Sequence, residues 1–227
     1  MASTAAIEID RNRLARITAL KSGAHKPPNG HLEACVMEAV AFVAGERWSD
    51  HPKCACPVIS AFLRSWNDNL PDDERNELLL PLVPRIVNTR GSKKLEARRA
   101  TMAADWYVRV ATPAWLRLAG LTAHADTLAA FPEISSFAKT PSIRPALEAA
   151  QKDASAAESA ARSAARSAAE SAAWSAAWSA AESAAESAAR SAAEKALAPT
   201  KIELQQSALA LVERMIAVTD ADLAEVV

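Results

Sequence analysis

HLEACVMEAVAFVAGERW, His31–Trp48, is the stretch that decides the fold. At about 100° per residue, Leu32, Val36, Ala39, Val40 and Val43 fall on one side of a helix, a stripe suited to face a core, and Asn29 stands where an N-cap belongs. A second stripe lies beside it, with His31, Cys35, Glu38, Phe42 and Glu46 within about 80° of azimuth. Glu38 interrupts an otherwise apolar run. Its carboxylate is expected either at an exposed rim or buried against a cation, for which the Arg98-Arg99 pair is the candidate. His31, Cys35, Glu38 and Glu46 therefore form a candidate polar face.

Outward from this helix the same period continues. Ala, Leu, Glu and Arg are strong helix formers, while five Gly, one Tyr and few β-branched runs in 227 residues leave little material for sheets. The expected class is all-α. Before His31, residues 4–21 carry Ile7, Leu14, Ile17 and Leu20 at helical spacing, followed by the turn-rich HKPPNG, so residues 1–29 read as a leading helix and hinge. After it, Pro57 opens a short helix that Asn67-Asp68-Asn69 stops, and Pro71-Asp72-Asp73-Glu74 opens another. Pro84 enforces a kinked or separate turn. Ser92 caps KKLEARRATMAADWYVRV, Thr112-Pro113 restarts AWLRLAGL, and Thr122 caps AHADTLAAF. Helices joined by such short links predict a compact antiparallel bundle over residues 30–135.

FPEISSFAKTPSIRP, from Phe131 to Pro145, breaks the composition. Residues 136–198 then read as a linker and one long helix, most of it ten consecutive Ser-Ala-Ala-X units from Ser155 to Glu194 with X being Glu, Arg or Trp. Four residues advance about 400° around a helix, so each unit sits about 40° beyond the last and the small-residue surface winds as a right-handed spiral. Trp174 and Trp178 are the only large apolar groups in the forty residues of the repeat and its expected anchors, either onto the chain's own helices or onto a partner. Pro199 is expected to end the long helix. Thr200 and Glu203 match a capping box opening a C-terminal helix, within residues 199–227, that packs back as a hairpin.

Charge and cysteine content bound the partners. With 26 basic and 27 acidic residues there is no global field to draw the chain to nucleic acid or to an anionic membrane, and nowhere do 18 uncharged apolar residues run together. The three cysteines, two of them in Cys54-Ala-Cys56, are too few and too close for a disulfide framework, so a reducing, cytoplasmic compartment is expected. His51, Cys54 and Cys56, with His31 and Cys35, are residue types that zinc accepts, but Cys-X-Cys is not the usual paired spacing and no second pair is present. No cofactor is expected. No phosphate loop, dinucleotide fingerprint or paired-carboxylate metal motif occurs. RGSKKLEARR, Arg90–Arg99, is the only basic concentration, and it reads as a solvated helix face.

The stretch from His31 through SDHPKCACPVISAFLRSWNDNLPDDERN, with NTRGSKKLEARRATMAADWYVRVATPAWLRLAGL, resembles a family of bacterial and phage proteins whose members join this domain to Ala-rich helical repeats. The likeness spans about residues 30–130 and brings no activity, cofactor or catalytic residue. The sequence thus points to a non-enzymatic protein-interaction or assembly protein, partnered by itself or by another host or phage protein. Its alternative is a small, metal-supported helical enzyme or regulator using His51, Cys54 and Cys56.

Overall fold

The computed structural model describes residues 6–28, 32–137, 142–157 and 178–223, and of residues 178–194 the backbone alone. Among these residues the regular elements are all helical, as the composition requires, and no helix is long and apolar enough to cross a membrane. The chain divides into two units, Met1–Ala100 with Leu209–Val227, and Thr101–Ala208. This division falls inside a helix, between Ala100 and Thr101.

In the first unit, α1 (Arg11–Ala15) is far shorter than the leading helix expected over residues 4–21. Asp10 ends it on the N-terminal side by accepting the Arg13 amide at 3.0 Å, while its own N–H goes to the Val43 carbonyl, 3.0 Å away. Residues ahead of Asp10 are held instead by Asn88, whose side chain both accepts from Ile7 N and donates to Ile7 O. Asn88 takes a left-handed φ of 66°, which a short amide side chain tolerates better than most. Ile17 and Leu20 are buried as their spacing implied, without being helical.

The His31–Trp48 stretch yields α2, Val36–Val43. Cys35 caps it, not Asn29, which lies with His31 outside the described residues. The reading that began the helix at Asn29 is corrected because Glu38 reaches back to the Cys35 amide while its own amide donates to Cys35 Sγ, a reciprocal capping box that fixes the first turn. Gly45, at φ 71°, ends the element. Seven of the eight helical residues are buried, so α2 is a core helix rather than an amphipathic one.

α3 (Pro57–Asn69), α4 (Asp72–Leu79), a 3₁₀ turn at Leu80–Leu82 and α5 (Val83–Ile86) follow the sequence reading closely, with the turn placed where Pro81 and Pro84 remove donors. α3 runs through Asn67 rather than stopping there. Fully buried Asn67 accepts from Val36 N at 3.1 Å and donates to Lys21 O at 2.9 Å, joining three segments. Leu20, Val40, Ile59, Leu63, Leu79 and Ile86 supply much of this unit's core.

α6 (Lys93–Trp106) begins at Ser92, whose hydroxyl accepts the Leu95 amide. Thr112-Pro113 does not restart a helix. A π-helical turn, Tyr107–Ala111, carries α6 directly into α7 (Thr112–Leu118), and the Thr112 amide donates to Tyr107 O five residues back. The wide turn accommodates Pro113, which has no N–H and whose ring would crowd the carbonyl four residues before it. α8 (Thr122–Ala129) contains Thr122 as its first residue rather than as its cap.

In the second unit, α7, α8 and a further helix over 142–157 (α9) enclose Leu116, Ala125, Leu128, Ile134, Ile143 and Ala150. Asp105 fixes the connecting segment by accepting Ile134 N at 2.8 Å. The last helix, α10 (Trp178–Ala217), runs through Pro199. The expected break and hairpin at residue 199 are therefore replaced by one helix. Proline forfeits one backbone bond, and strong helix formers on both sides continue the structure. Leu211, Val212 and Met215 near its end are fully buried in the first unit.

Candidate functional site

Of the polar face expected on α2, the structure brings Cys35 and Glu38 together and separates Glu46 from them. Glu38 is 2% exposed, and its carboxylate accepts from three directions: His25 N at 2.7 Å, Cys35 N at 2.8 Å and His25 Nδ1 at 2.9 Å. His25, from the segment read as a hinge, is thus the partner that the sequence assigned to an arginine. Trp48 closes the arrangement from the other end of the His31–Trp48 stretch, its indole N–H donating to His25 O at 2.9 Å. Phe42 lies under two guanidinium groups, Arg13 at 5.4 Å and Arg16 at 5.3 Å from the ring centre. Two of the three contacts to Glu38 hold His25 against α2, and the third closes the helix's own capping box.

Glu46 falls beyond the end of α2. Its two oxygens accept the Lys53 and Cys54 amides at 2.6 and 2.7 Å, shaping the His51–Cys56 loop. Burial, with Glu46 adding a like charge, pushes the Cys54 thiol up to about 12. Burial does the same to Cys35, also to about 12, opposed only in part by backbone N–H groups. These are protonated, shielded thiols, and Cys56 is likewise free and buried. His51 is exposed and pairs with Asp50 at 2.7 Å. Among the described residues no three His, Cys, Asp or Glu side chains come together as metal ligands would.

The Arg98-Arg99 pair has a different use. Arg99 is buried at 2% exposure and donates to Thr89 O, Met215 O and Val218 O at 2.5, 2.7 and 3.0 Å. The last two are carbonyls at the C-terminal end of α10, groups that a helix leaves without internal partners. Arg75 plays the same part for α3, donating to Asn67 O and Leu70 O, and Arg13 for α2 through Phe42 O. Composition alone treats such arginines as surface charge. The signal that distinguishes them is their position one or two turns from a helix end.

In the second unit the unbroken helix Tyr107–Leu118 buries Ala111, Pro113 and Leu116 and leaves four large apolar side chains in solvent: Tyr107 at 65%, Trp115 at 45%, Val110 and Leu118 at 40%. Sequence reasoning attributed this stretch to the bundle and missed the exposed row. The π turn changes the azimuth of everything after Tyr107, so a 3.6-residue wheel cannot place Trp115 correctly. Flanking this row, Arg117 pairs with Asp126 at 2.9 Å, and both are largely exposed. Trp174, one of the two expected anchors, lies outside the described residues, and Trp178 is described as the first residue of α10. No protein family, curated protein or solved structure matches the chain.

Proposed function

We propose that the chain is a non-enzymatic, self-associating interaction protein. The observation that supports this reading is the exposed row Tyr107, Val110, Trp115 and Leu118. Single exposed apolar residues need no explanation, but two large aromatics and two aliphatics on one stretch of helix have the composition of an interface centre. A second copy is the occupant favoured by the charges at its edge. A two-fold contact sets a patch against itself, and a neighbouring pair of both signs, Arg117 and Asp126, is compatible with such self-apposition where a single-sign edge would repel. The Ser-Ala-Ala-X repeat extends the same reading, since its small side chains admit close approach of another helix and Trp174 and Trp178 are its apolar anchors.

Sedimentation equilibrium tests this directly. Twice the chain mass is expected for the wild type, and the monomer mass for Tyr107→Ser combined with Trp115→Ser, with the helical circular dichroism retained. A wild-type monomer at high micromolar concentration would refute self-association. Trp174→Ala with Trp178→Ala then separates the two surfaces: unchanged dimer affinity removes the repeat from the contact.

A further inference from the structure

The N-terminal end of α3 borders a pocket of about 170 Å³ lined by His51, Lys53, Ser60, Arg64 and Arg90. Ser60 is 3% exposed, and its hydroxyl has no hydrogen-bond partner. Its amide bonds Cys56 O in the ordinary helical way, yet the hydroxyl does not close on a backbone carbonyl as a helical serine usually can. A buried polar group without a partner is costly and calls for a ligand or a water. The same end of α3 is uncapped by any side chain, Pro57 occupies its first position and lines the pocket, and this end carries the positive end of the helix dipole.

The charges around the pocket agree with this polarity. Arg64 donates to Asp50 O at 3.0 Å and lies 4.0 Å from the Asp50 carboxylate, which also holds His51. Arg90 sits 3.4 Å from Glu96. Lys53 makes no ion pair among the described residues. Neither carboxylate lines the pocket, whereas all three cations do. A larger cavity of about 610 Å³, reaching Ile7, Asn88 and Gly91, shares Lys53 and Arg90 with it.

We propose that this pocket binds the phosphate group of a small phosphorylated molecule. The oxyanion sits at the α3 N-terminus, bonded by Ser60 and by the guanidinium groups of Arg64 and Arg90, with Lys53 facing it from the loop. The neighbouring cavity receives the rest of the molecule. The two guanidinium forks favour a multidentate tetrahedral anion over a halide, and the uncapped helix end favours any anion over a neutral ligand. This site is independent of the self-association proposed above.

Titration calorimetry at constant ionic strength, with inorganic phosphate and with glycerol 3-phosphate as probes and chloride as the balancing anion, tests the assignment. Saturable one-to-one binding of both is expected, the ester the tighter because it alone enters the larger cavity. Equal or weaker binding of the ester would overturn the phosphorylated molecule as the ligand and leave free phosphate. Absence of saturable binding by either would overturn the site. Ser60→Ala and Lys53→Gln should each weaken phosphate binding about tenfold, the effect of one lost hydrogen bond to a charged group. Lys53 is exposed, so its variant keeps the test valid should Ser60→Ala alter packing. In phosphate-free buffer Ser60→Ala should unfold no earlier than the wild type, because it deletes an unpartnered group. Wild-type affinity in both variants would place binding elsewhere and refute the assignment.

Discussion

Glu38→Gln keeps the shape of the side chain and removes one acceptor oxygen, and the geometry around Glu38 does not tolerate that. One carboxylate oxygen accepts His25 N at 2.7 Å, and the other accepts Cys35 N at 2.8 Å together with His25 Nδ1 at 2.9 Å. An amide has one acceptor. If its oxygen faces Cys35, the NH₂ group meets the His25 backbone N–H. In the flipped orientation the His25 ring can change tautomer and accept, but the Cys35 N–H still faces a donor. Either way at least one backbone donor is left buried and unpaired beside a group that is 2% exposed. An orphaned buried donor costs about 1–3 kcal/mol, and the charge-assisted character of the lost bonds raises the expected destabilisation to about 2–4 kcal/mol. Native-state hydrogen exchange of the α2 amides, Val36–Val43, measures this within the first unit whether or not the chain unfolds in one step. The exchange free energy should fall by that amount, with the His25–Pro28 segment losing protection first. A change below about 0.5 kcal/mol, the range of an ordinary surface substitution, would refute the capping role.

Arg99→Lys should destabilise the first unit by about 2–4 kcal/mol, since an ammonium cannot span the three carbonyls of Thr89, Met215 and Val218 and leaves α10 carbonyls unpaired; urea unfolding followed by circular dichroism checks it. The thiols of Cys35 and Cys54 should be slow toward a disulfide reagent at pH 8 in the native protein and fast in urea. Their folded values near 12 lie above the ordinary 9.0, so this contribution to stability is full below pH 9 and is lost as pH rises from 9 toward 12, where only the unfolded chain releases the protons. Asp220 accepts from Ser92 Oγ and Ser92 N, and those bonds hold its carboxyl below the ordinary 3.8. Its contribution is present above that value and is lost as pH falls through the lowered one. Protection of the Val218–Leu223 amides should therefore decline below pH 4 in the wild type and be reduced at neutral pH in Asp220→Asn.

The all-α class and the starts of α3, α4 and α6 were legible because each rests on local chemistry: Pro57 in a first turn, acids at Asp72-Asp73-Glu74, and the hydroxyl of Ser92. What the sequence could not show were the choices between two locally good options. Residues 4–21 have helical spacing, yet Asn88, 81 positions away from Ile7, offers its side-chain amide in place of helical bonds. Asn29 is a good cap by type, and Cys35 becomes the cap because Glu38 sits three residues after it. Glu38 was visible as an anomaly in ACVMEAVAF, but its partner His25 sat in a stretch that looked like a hinge.

Proline shows where local reasoning reaches its end. Pro57, Pro113 and Pro199 are each a legitimate sign of a helix boundary, and only Pro57 marks one. At Pro113 the preceding turn widens to five residues, which removes the clash, and Trp115 beyond it is 45% exposed. At Pro199 the helix continues, so the buried end carrying Leu211, Val212 and Met215 shares one element with residues 178–194 of the repeat instead of following a hairpin. The described part of α10 is one continuous helix from Trp178 to Ala217, and its C-terminal carbonyls are the ones Arg99 holds.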